Sequence, residues 1–472
     1  MLESSRRTLM NLDSQIPTDP VAPAALSLPE RYAAELRRFR ARIKQSIRER
    51  ERAQELLPMG VCSNFRLMDP DTIFLRRARG SRVEDVDGHE YVDYGLAQST
   101  LLAGHGHPAV LEAVRTQMEQ GTMHCYPHAA TADLASLIRE RFRLEKVRFT
   151  NTGAESTQFA LRVARAVTRR DAIMKFDIGY HGSAPEFWIG RADDALPSGA
   201  PDWMGQGILS AGIPQDFFRQ TIVASYNDLE DVRACFRARP GAIAAVIVEP
   251  IPFNLGICMP RAGFLQGLRE ICDREGALLV YDEVKMGCKL GPIGAGEHFG
   301  VAADLVCMAK SIGGGFPIGL FGGRRELMNV IESGDVKHVG TYVANPISVA
   351  AAIATLTEVL TRANLERAFS LNQALAEGYR AIIDRCGIEA HVVTAGASGC
   401  LFFSRHPVHS RQDFMRTRLD RWLPFWVGMC NRGILPQAHG SEDVWTVSVQ
   451  HTEEDIEATL RAFRQVAPLL GA

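Results

Sequence analysis

Short, wholly apolar runs recur through the middle of the chain, at 244–248, 278–281 and 305–308, and each is followed by a charged residue: Glu249, Asp282 and, two positions on, Lys310. Runs this short and this apolar leave no face for water, so they read as strands covered on both sides, the environment of a parallel sheet between helices. Similar strands are expected at 172–176 and 320–322, with helical stretches such as 263–275 between them. This alternation predicts an α/β domain with a largely parallel sheet. Such sheets bind ligands beyond the carboxyl ends of their strands, so the residues closing these runs are the first candidates for chemistry.

Around that core the chain divides further. Residues 1–28 mix Ser, Pro, Asp and Ala without a period and read as a flexible arm. From 29 to 57 interspersed charges predict a long surface helix with an apolar face at Leu36, Phe39, Ile43 and Ile47. Alternation through 81–94 with a central Asp87-Gly88 predicts a hairpin. A helix at 108–120, a strand at 146–150 and a helix at 155–168 follow. After Pro346, helices at 348–361 and 365–386, strands near 392, 401–404 and 444–449, and a last helix from Glu453 describe a smaller α+β unit. The expected division is an N-terminal segment 29–95 joining the small domain, a large domain 96–345 and a C-terminal small domain 346–472.

Composition narrows the function classes. A net charge of −2 over 472 residues argues against nucleic acid or an anionic membrane as partner. Ten cysteines with no Cys-x-x-Cys pair read as reduced thiols of a cytoplasmic protein. No apolar run reaches membrane-spanning length, and the first residues lack the basic-then-apolar pattern of a secretory signal.

Lys310 stands just before Gly313, Gly314 and Gly315. Strand interiors avoid lysine, and successive glycines mark backbone that turns tightly or approaches something closely. An amine in a partly desolvated site loses its proton more easily and can form a Schiff base with an aldehyde. A solvated lysine in a strand-to-loop turn would occupy the same place. Asp282 is set to meet a positive charge on a ligand ring, and is a better inward candidate than Glu283, although a plain helix cap also uses aspartate. In 150–155 the N–H groups of Gly153 and Ala154, the Thr152 hydroxyl and the positive end of the following helix suit a phosphate, as they would suit any strand-to-helix turn. Tyr180, beside His181 and Gly182, can stack on a planar heterocycle or pack in the core. Glu249 is a further strand-end carboxylate, followed by Asn254, and Thr341 in 340–346 offers a hydroxyl to a phosphate. His105 and His107 form a His-x-His without acidic or Cys partners at ligand spacing, so no metal is assigned.

A lysine for an imine, an aspartate for a ring nitrogen, a phosphate cradle and a stacking aromatic together describe pyridoxal 5′-phosphate (PLP). In order and wording these motifs resemble the class III aminotransferases of PLP fold type I. Within them the chain is most similar, from about Gly60 to its end, to the glutamate-1-semialdehyde 2,1-aminomutase branch. The resemblance implies the type I fold, with a small domain built from the two chain ends. It implies that Lys310 forms the Schiff base and carries the proton, that Asp282 keeps the pyridine nitrogen protonated, and that Tyr180 and Val284 cover the two ring faces. Gly153 and Ala154 would bind the phosphate, with Thr341 reaching it from the neighbouring subunit of a homodimer with shared active sites. Asn254 would lie near the phenolic oxygen, and Ser63 and Arg66 would hold the substrate carboxylate, for which a guanidinium fork is suited. A surface salt bridge is Arg66's other use.

The chain also departs from that branch. Gln98 stands where the aminomutases place a tryptophan over the substrate, Ala154 replaces the usual threonine, and Cys288-Lys289 replaces a Phe-Arg pair. Near 440–445 either Glu442 or Asp443 is the counterpart of a substrate-facing glutamate. These changes alter the pocket and spare the cofactor machinery. The expectation is an aminotransferase moving an amino group between a β- or other non-α-amino acid and an oxo acid. The alternatives are a 2,1-aminomutase working on one bound substrate, against which Gln98 speaks, and a racemase or epimerase on the same fold. A non-catalytic module would lack Lys310.

Overall fold

The computed structural model describes residues 28–191, 208–437 and 443–470. The arm expected at 1–28 lies outside the described residues except for Leu28, which opens a helix, and Glu442 lies outside them as well. No helix among the described residues is long and apolar enough to cross a membrane.

Strands β1 (Leu75–Arg79), β2 (Arg82–Asp85) and β3 (Glu90–Asp93) form an antiparallel meander, and Gly88 in the second turn takes a φ of 87°. The large sheet contains β4 (Lys146–Thr150), β5 (Ala172–Phe176), β6 (Thr221–Ala224), β7 (Ile243–Val248), β8 (Leu278–Asp282), β9 (Leu305–Met308) and β10 (Gly319–Gly323) in the order β4-β10-β9-β8-β7-β5-β6. A third sheet joins β11 (His391–Ala395), β12 (Ser398–Phe402) and β14 (Asp443–Thr446), while β13 (Ile434–Leu435) pairs in parallel with β3.

Strands β5, β7, β8 and β9 are buried along their whole length, as their apolar runs require, and pair in parallel. Strand β10 runs antiparallel to both β9 and β4, so β4 points the same way as the rest. The consequence is positional. The carboxyl ends of β4, β5, β7, β8 and β9 share one edge, which gathers the turn at Gly153, Tyr180, Glu249, Asp282 and Lys310 there from positions far apart in sequence.

The two ends of the chain share a core in which Phe39 and Ile43 pack with Trp426 and Phe463, the Phe39 and Trp426 rings meeting edge-on at 5.5 Å. The helix expected over 29–57 breaks at Ile43 into Leu28–Arg42 and Lys44–Gln54. Asp87, in the hairpin turn, accepts the Gln45 and Ser46 N–H groups at 2.6 and 2.9 Å, a cap supplied across space that local periodicity does not reveal. The helix expected to 361 runs over Pro346–Ala354 and continues as one π turn, Thr355–Val359. The helix Trp422–Cys430 is apolar nearly all round, which erases the amphipathic period by which a sequence reading would find it.

Candidate active site

The strand-to-helix turn after β4 opens the helix Gly153–Thr168. Thr152 is its N-cap, with the side-chain oxygen accepting the Glu155 N–H at 3.1 Å. Gly153 and Ala154 fall in the first turn, whose N–H groups have no partner within a helix, and the helix dipole adds positive potential there. Glycine is required at 153 by packing: a Cβ would come 2.5 Å from Val284 Cγ1. Gly182, at φ 108°, brings the Tyr180-His181 loop down on Ala154, because a Cβ there would meet both Ala154 Cα and Cβ at 2.7 Å. The phosphate-type turn, Val284 and the aromatic loop therefore form one contiguous cradle.

Asp282 and Glu283 diverge at the end of β8. Asp282 meets His181, Oδ2 to Nδ1 at 2.8 Å, and accepts the Val284 N–H on Oδ1 at 2.9 Å. Glu283 turns away to accept the Ala295 N–H at 2.9 Å, and burial pushes its carboxyl up to about 7. Glu249, at the end of β7, accepts the Tyr180 N–H at 2.9 Å, and its pKa is raised chiefly by burial and then by the Asp282 charge. Tyr180 is contacted edge-on by Phe65 at 5.5 Å and by Trp188 at 6.4 Å. Burial, followed by the Asp282 charge, raises the pKa of its hydroxyl.

Lys310 is half-buried, with a φ of 51°, a left-handed conformation unusual for a residue with a Cβ. Burial lowers the pKa of its amine, against the opposing charges of Asp282 and Glu249. Two further lysines lie beside it, both buried. Lys285 donates to Phe253 O at 2.7 Å and to Asn254 Oδ1 at 3.1 Å. Lys289 donates to Lys285 O and to Ser311 Oγ, and burial, then Lys310 and Lys285, drives its pKa well down.

Of the remaining residues read from sequence, only the turn carrying Ser63 and Arg66 is tied directly to this cluster among the described residues. Phe65 docks the short turn Asn64–Arg66 on Tyr180, which leaves Ser63 and Arg66 exposed at the rim. Gln98 lies in an unforeseen turn: Leu96, Ala97, Gln98 and Ser99 all have positive φ, from 42° to 61°, without a glycine among them. Such a left-handed turn costs about 1–2 kcal/mol per residue and has to be held by its surroundings. Asp93 Oδ1 holds it by accepting the Gly95 and Leu96 N–H groups at 2.9 and 3.0 Å. Thr341 is exposed in a turn ahead of Pro346–Ala354, and no hydrogen bond among the described residues ties it to the cluster. His105 pairs with Asp93 at 2.7 Å, while His107 caps the helix Pro108–Gln120 by accepting the Ala109 N–H.

Sequence reasoning missed the His181–Asp282 pair, the parts played by Glu249 and Lys285, and the docking of Phe65. Each depends on contacts across different strands, and only the adjacency of His181 to Tyr180 gave a signal in advance.

The arrangement suits an anionic, planar aldehyde cofactor. A helix N-terminus suits an anion, a buried carboxylate such as that of Asp282 suits a protonated ring nitrogen, Val284 packs against the first turn at Gly153, and burial lowers the pKa of the Lys310 amine. His181 Nε2 is buried without a partner among the described residues, which leaves Nδ1 as the N–H that Asp282 accepts.

Comparison with known proteins agrees with this geometry. A family model described as Aminotransferase class-III matches residues 66–417. The glutamate-1-semialdehyde 2,1-aminomutase of Desulforudis audaxviator (strain MP104C) is 39% identical over 415 residues, covering 87% of this chain and 94% of its own. Among solved structures, a glutamate-1-semialdehyde-aminomutase from Pseudomonas aeruginosa PAO1 superposes with a TM-score of 0.84 at 25% identity, covering 94% of this chain and 98% of that one. A lysine-to-alanine variant of that protein was solved in complex with PMP. An omega-transaminase from Sphaerobacter thermophilus has a TM-score of 0.82 at 30% identity, covering 90% of this chain and 97% of that one.

Proposed function

The chain belongs to the class-III aminotransferase family, and from that premise we propose that it is an isomerase of the 2,1-aminomutase kind, taking one small amino-oxo acid and returning it with the amino group on the neighbouring carbon. Its cofactor is pyridoxal 5′-phosphate. The sequence alone placed an aminotransferase first and this isomerase second. The near full-length likeness to proteins named as aminomutases reverses that order, and it is the observation that carries the reading.

The cofactor, when bound, supplies an aldehyde for an amine and a ring that draws electrons from the substrate carbon. Lys310 then moves the proton: its burial-lowered amine takes a proton from one substrate carbon and returns it to a neighbouring position. Asp282, held by His181 and the Val284 N–H, presents its carboxylate to the ring nitrogen. Gly153, Ala154 and the Thr152 hydroxyl would hold the phosphate, and Tyr180 and Val284 would lie against the ring. Asn254 serves the phenolic oxygen. Ser63 and Arg66, exposed on the turn that Phe65 docks against Tyr180, would receive the substrate carboxylate, and Gln98 would take the place the aminomutases give to a tryptophan over the substrate. Thr341 serves the site of a second copy in a homodimer. Support for that comes from exposed apolar residues on either side of it, Val339 at 82% and Tyr342 at 67% exposure, which a second copy would cover.

Gln98 favours a second reading. An amide in place of a tryptophan leaves the substrate side more open and polar, so an intermediate can leave and an outside acceptor can enter, which is transamination. Purified enzyme given glutamate 1-semialdehyde alone separates the two. Sustained turnover of the single compound is expected of the isomerase. A stop after one half-reaction, relieved only by an added oxo acid, would overturn it in favour of the transferase.

A further inference from the structure

Lys285 follows Asp282 by three residues, yet its partners lie on a different loop, at Phe253 and Asn254, from those of Asp282, which are His181 and the Val284 N–H. It is buried, with 4% exposure, and it donates to Phe253 O and to Asn254 Oδ1. The other end of the Asn254 carboxamide, Nδ2, lies 3.0 Å from Glu249 Oε1 and 3.3 Å from Oε2. Glu249 Oε1 also accepts the Tyr180 N–H, so the chain Lys285–Asn254–Glu249–Tyr180 is continuous. The two ends of a carboxamide are nearly equal in shape, and partners alone decide which way it points. An ammonium can only donate and an ionised carboxylate can only accept, so Lys285 and Glu249 together allow one orientation.

We propose that Lys285 is a positioning residue, which fixes the Asn254 carboxamide so that its NH₂, anchored on Glu249 by one hydrogen, presents the other to the phenolic oxygen of the cofactor and thereby sets the pH at which the cofactor's visible band titrates. This rests on the reading of Asn254 as a cofactor contact.

Glu249 shows why a second partner is needed. Burial and the Asp282 charge raise its pKa, and a protonated Glu249 could donate to the amide oxygen and let the group turn over. With Lys285 holding the oxygen, that alternative would set an ammonium against an NH₂. Among the described residues, the titratable groups around this amide and its neighbours are Glu249 beyond β7, Asp282, Lys285 and Lys289 beyond β8, Lys310 beyond β9, and His181 beyond β5. Removing Lys285 therefore takes away one fixed donor and one positive charge. The loss that bears on the cofactor is that of the fixed donor: an amide free to turn no longer holds its NH₂ towards the phenolic oxygen, which favours the protonated form of the cofactor linkage.

The test is the absorbance of the PLP-loaded protein across pH. In Lys285→Met the midpoint of the visible band is expected to rise by about one pH unit. Asn254→Ala alone should raise it too, and Lys285→Met added to Asn254→Ala should then move it little further, because the lysine acts through the amide. An unmoved midpoint in either single variant, or an equal shift from Lys285→Met in the Asn254→Ala background, overturns the inference. A wild-type protein that gains no visible band with PLP overturns the cofactor contact and this inference with it. A band whose midpoint ignores Lys285 overturns this inference alone.

Discussion

His181 and Asp282, 101 residues apart in the chain, meet at 2.8 Å between Nδ1 and Oδ2, both buried at the sheet edge. The Val284 N–H donates to the other carboxylate oxygen at 2.9 Å, so both oxygens of Asp282 are held. A carboxylate held this way meets a ring nitrogen without first giving up conformational freedom.

Replacing the imidazole tests that arrangement. His181→Phe keeps the volume and removes a hydrogen bond to a charged group, a loss of about 1.5–3 kcal/mol. Titration of the apoprotein with PLP should show affinity falling ten- to hundredfold. Unchanged affinity would mean that Asp282 is oriented without His181.

Lys310→Ala removes the amine while leaving the cradle intact. The rate should fall by at least about 10²–10⁴, the usual contribution of a positioned acid–base group. PLP should become removable by dialysis, and the visible band of the loaded protein should change to that of the free aldehyde. A variant that still resists dialysis would place the covalent link elsewhere.

Gly153 and Val284 should behave as a matched pair. Gly153→Ala puts a methyl 2.5 Å from Val284 Cγ1, and overpacking of this kind costs about 1–3 kcal/mol. Urea unfolding of the apoprotein should show that loss, and Val284→Ala in the same chain should recover most of it. Additive losses in the double variant would show that the contact is not the cause.

The pH dependence of stability should carry the signature of Lys289. Its pKa in the folded protein lies well below the ordinary amine value through burial, while the unfolded chain keeps the proton up to about 10.4. Between those values the unfolded state binds the extra proton, so this group makes the fold more stable as pH rises through the window and least stable below it. Lys289→Met removes that slope. Its gain over the wild-type apoprotein should be largest at low pH and should vanish as pH approaches about 10, read as urea midpoints at each pH. A pH-independent difference would mean that Lys289 is charged in the fold.

The strand ends were legible because a buried strand announces itself in five residues. The runs closed by Glu249, Asp282 and Lys310 needed only local apolarity to be recognised, and the Gly153 turn needed only its place before a helix. The antiparallel direction of β10, the break at Ile43 and the left-handed turn through Gln98 had no such mark. A strand's direction is set by how its connections pack, the break by a cap from Asp87 in another element, and the turn by the Asp93 carboxylate in place of glycine.

The sequence by itself determined the α/β layering, the edge at which chemistry gathers and the residue types brought there, since these follow from hydrophobic period and strand length. Tertiary structure alone decided which neighbour meets which. Asp282 rather than Glu283 faces His181, and Lys285 holds the Asn254 amide oxygen. Successive residues beyond a strand point to different sides, and the side that becomes a pocket depends on which loops, from strands remote in sequence, close over it.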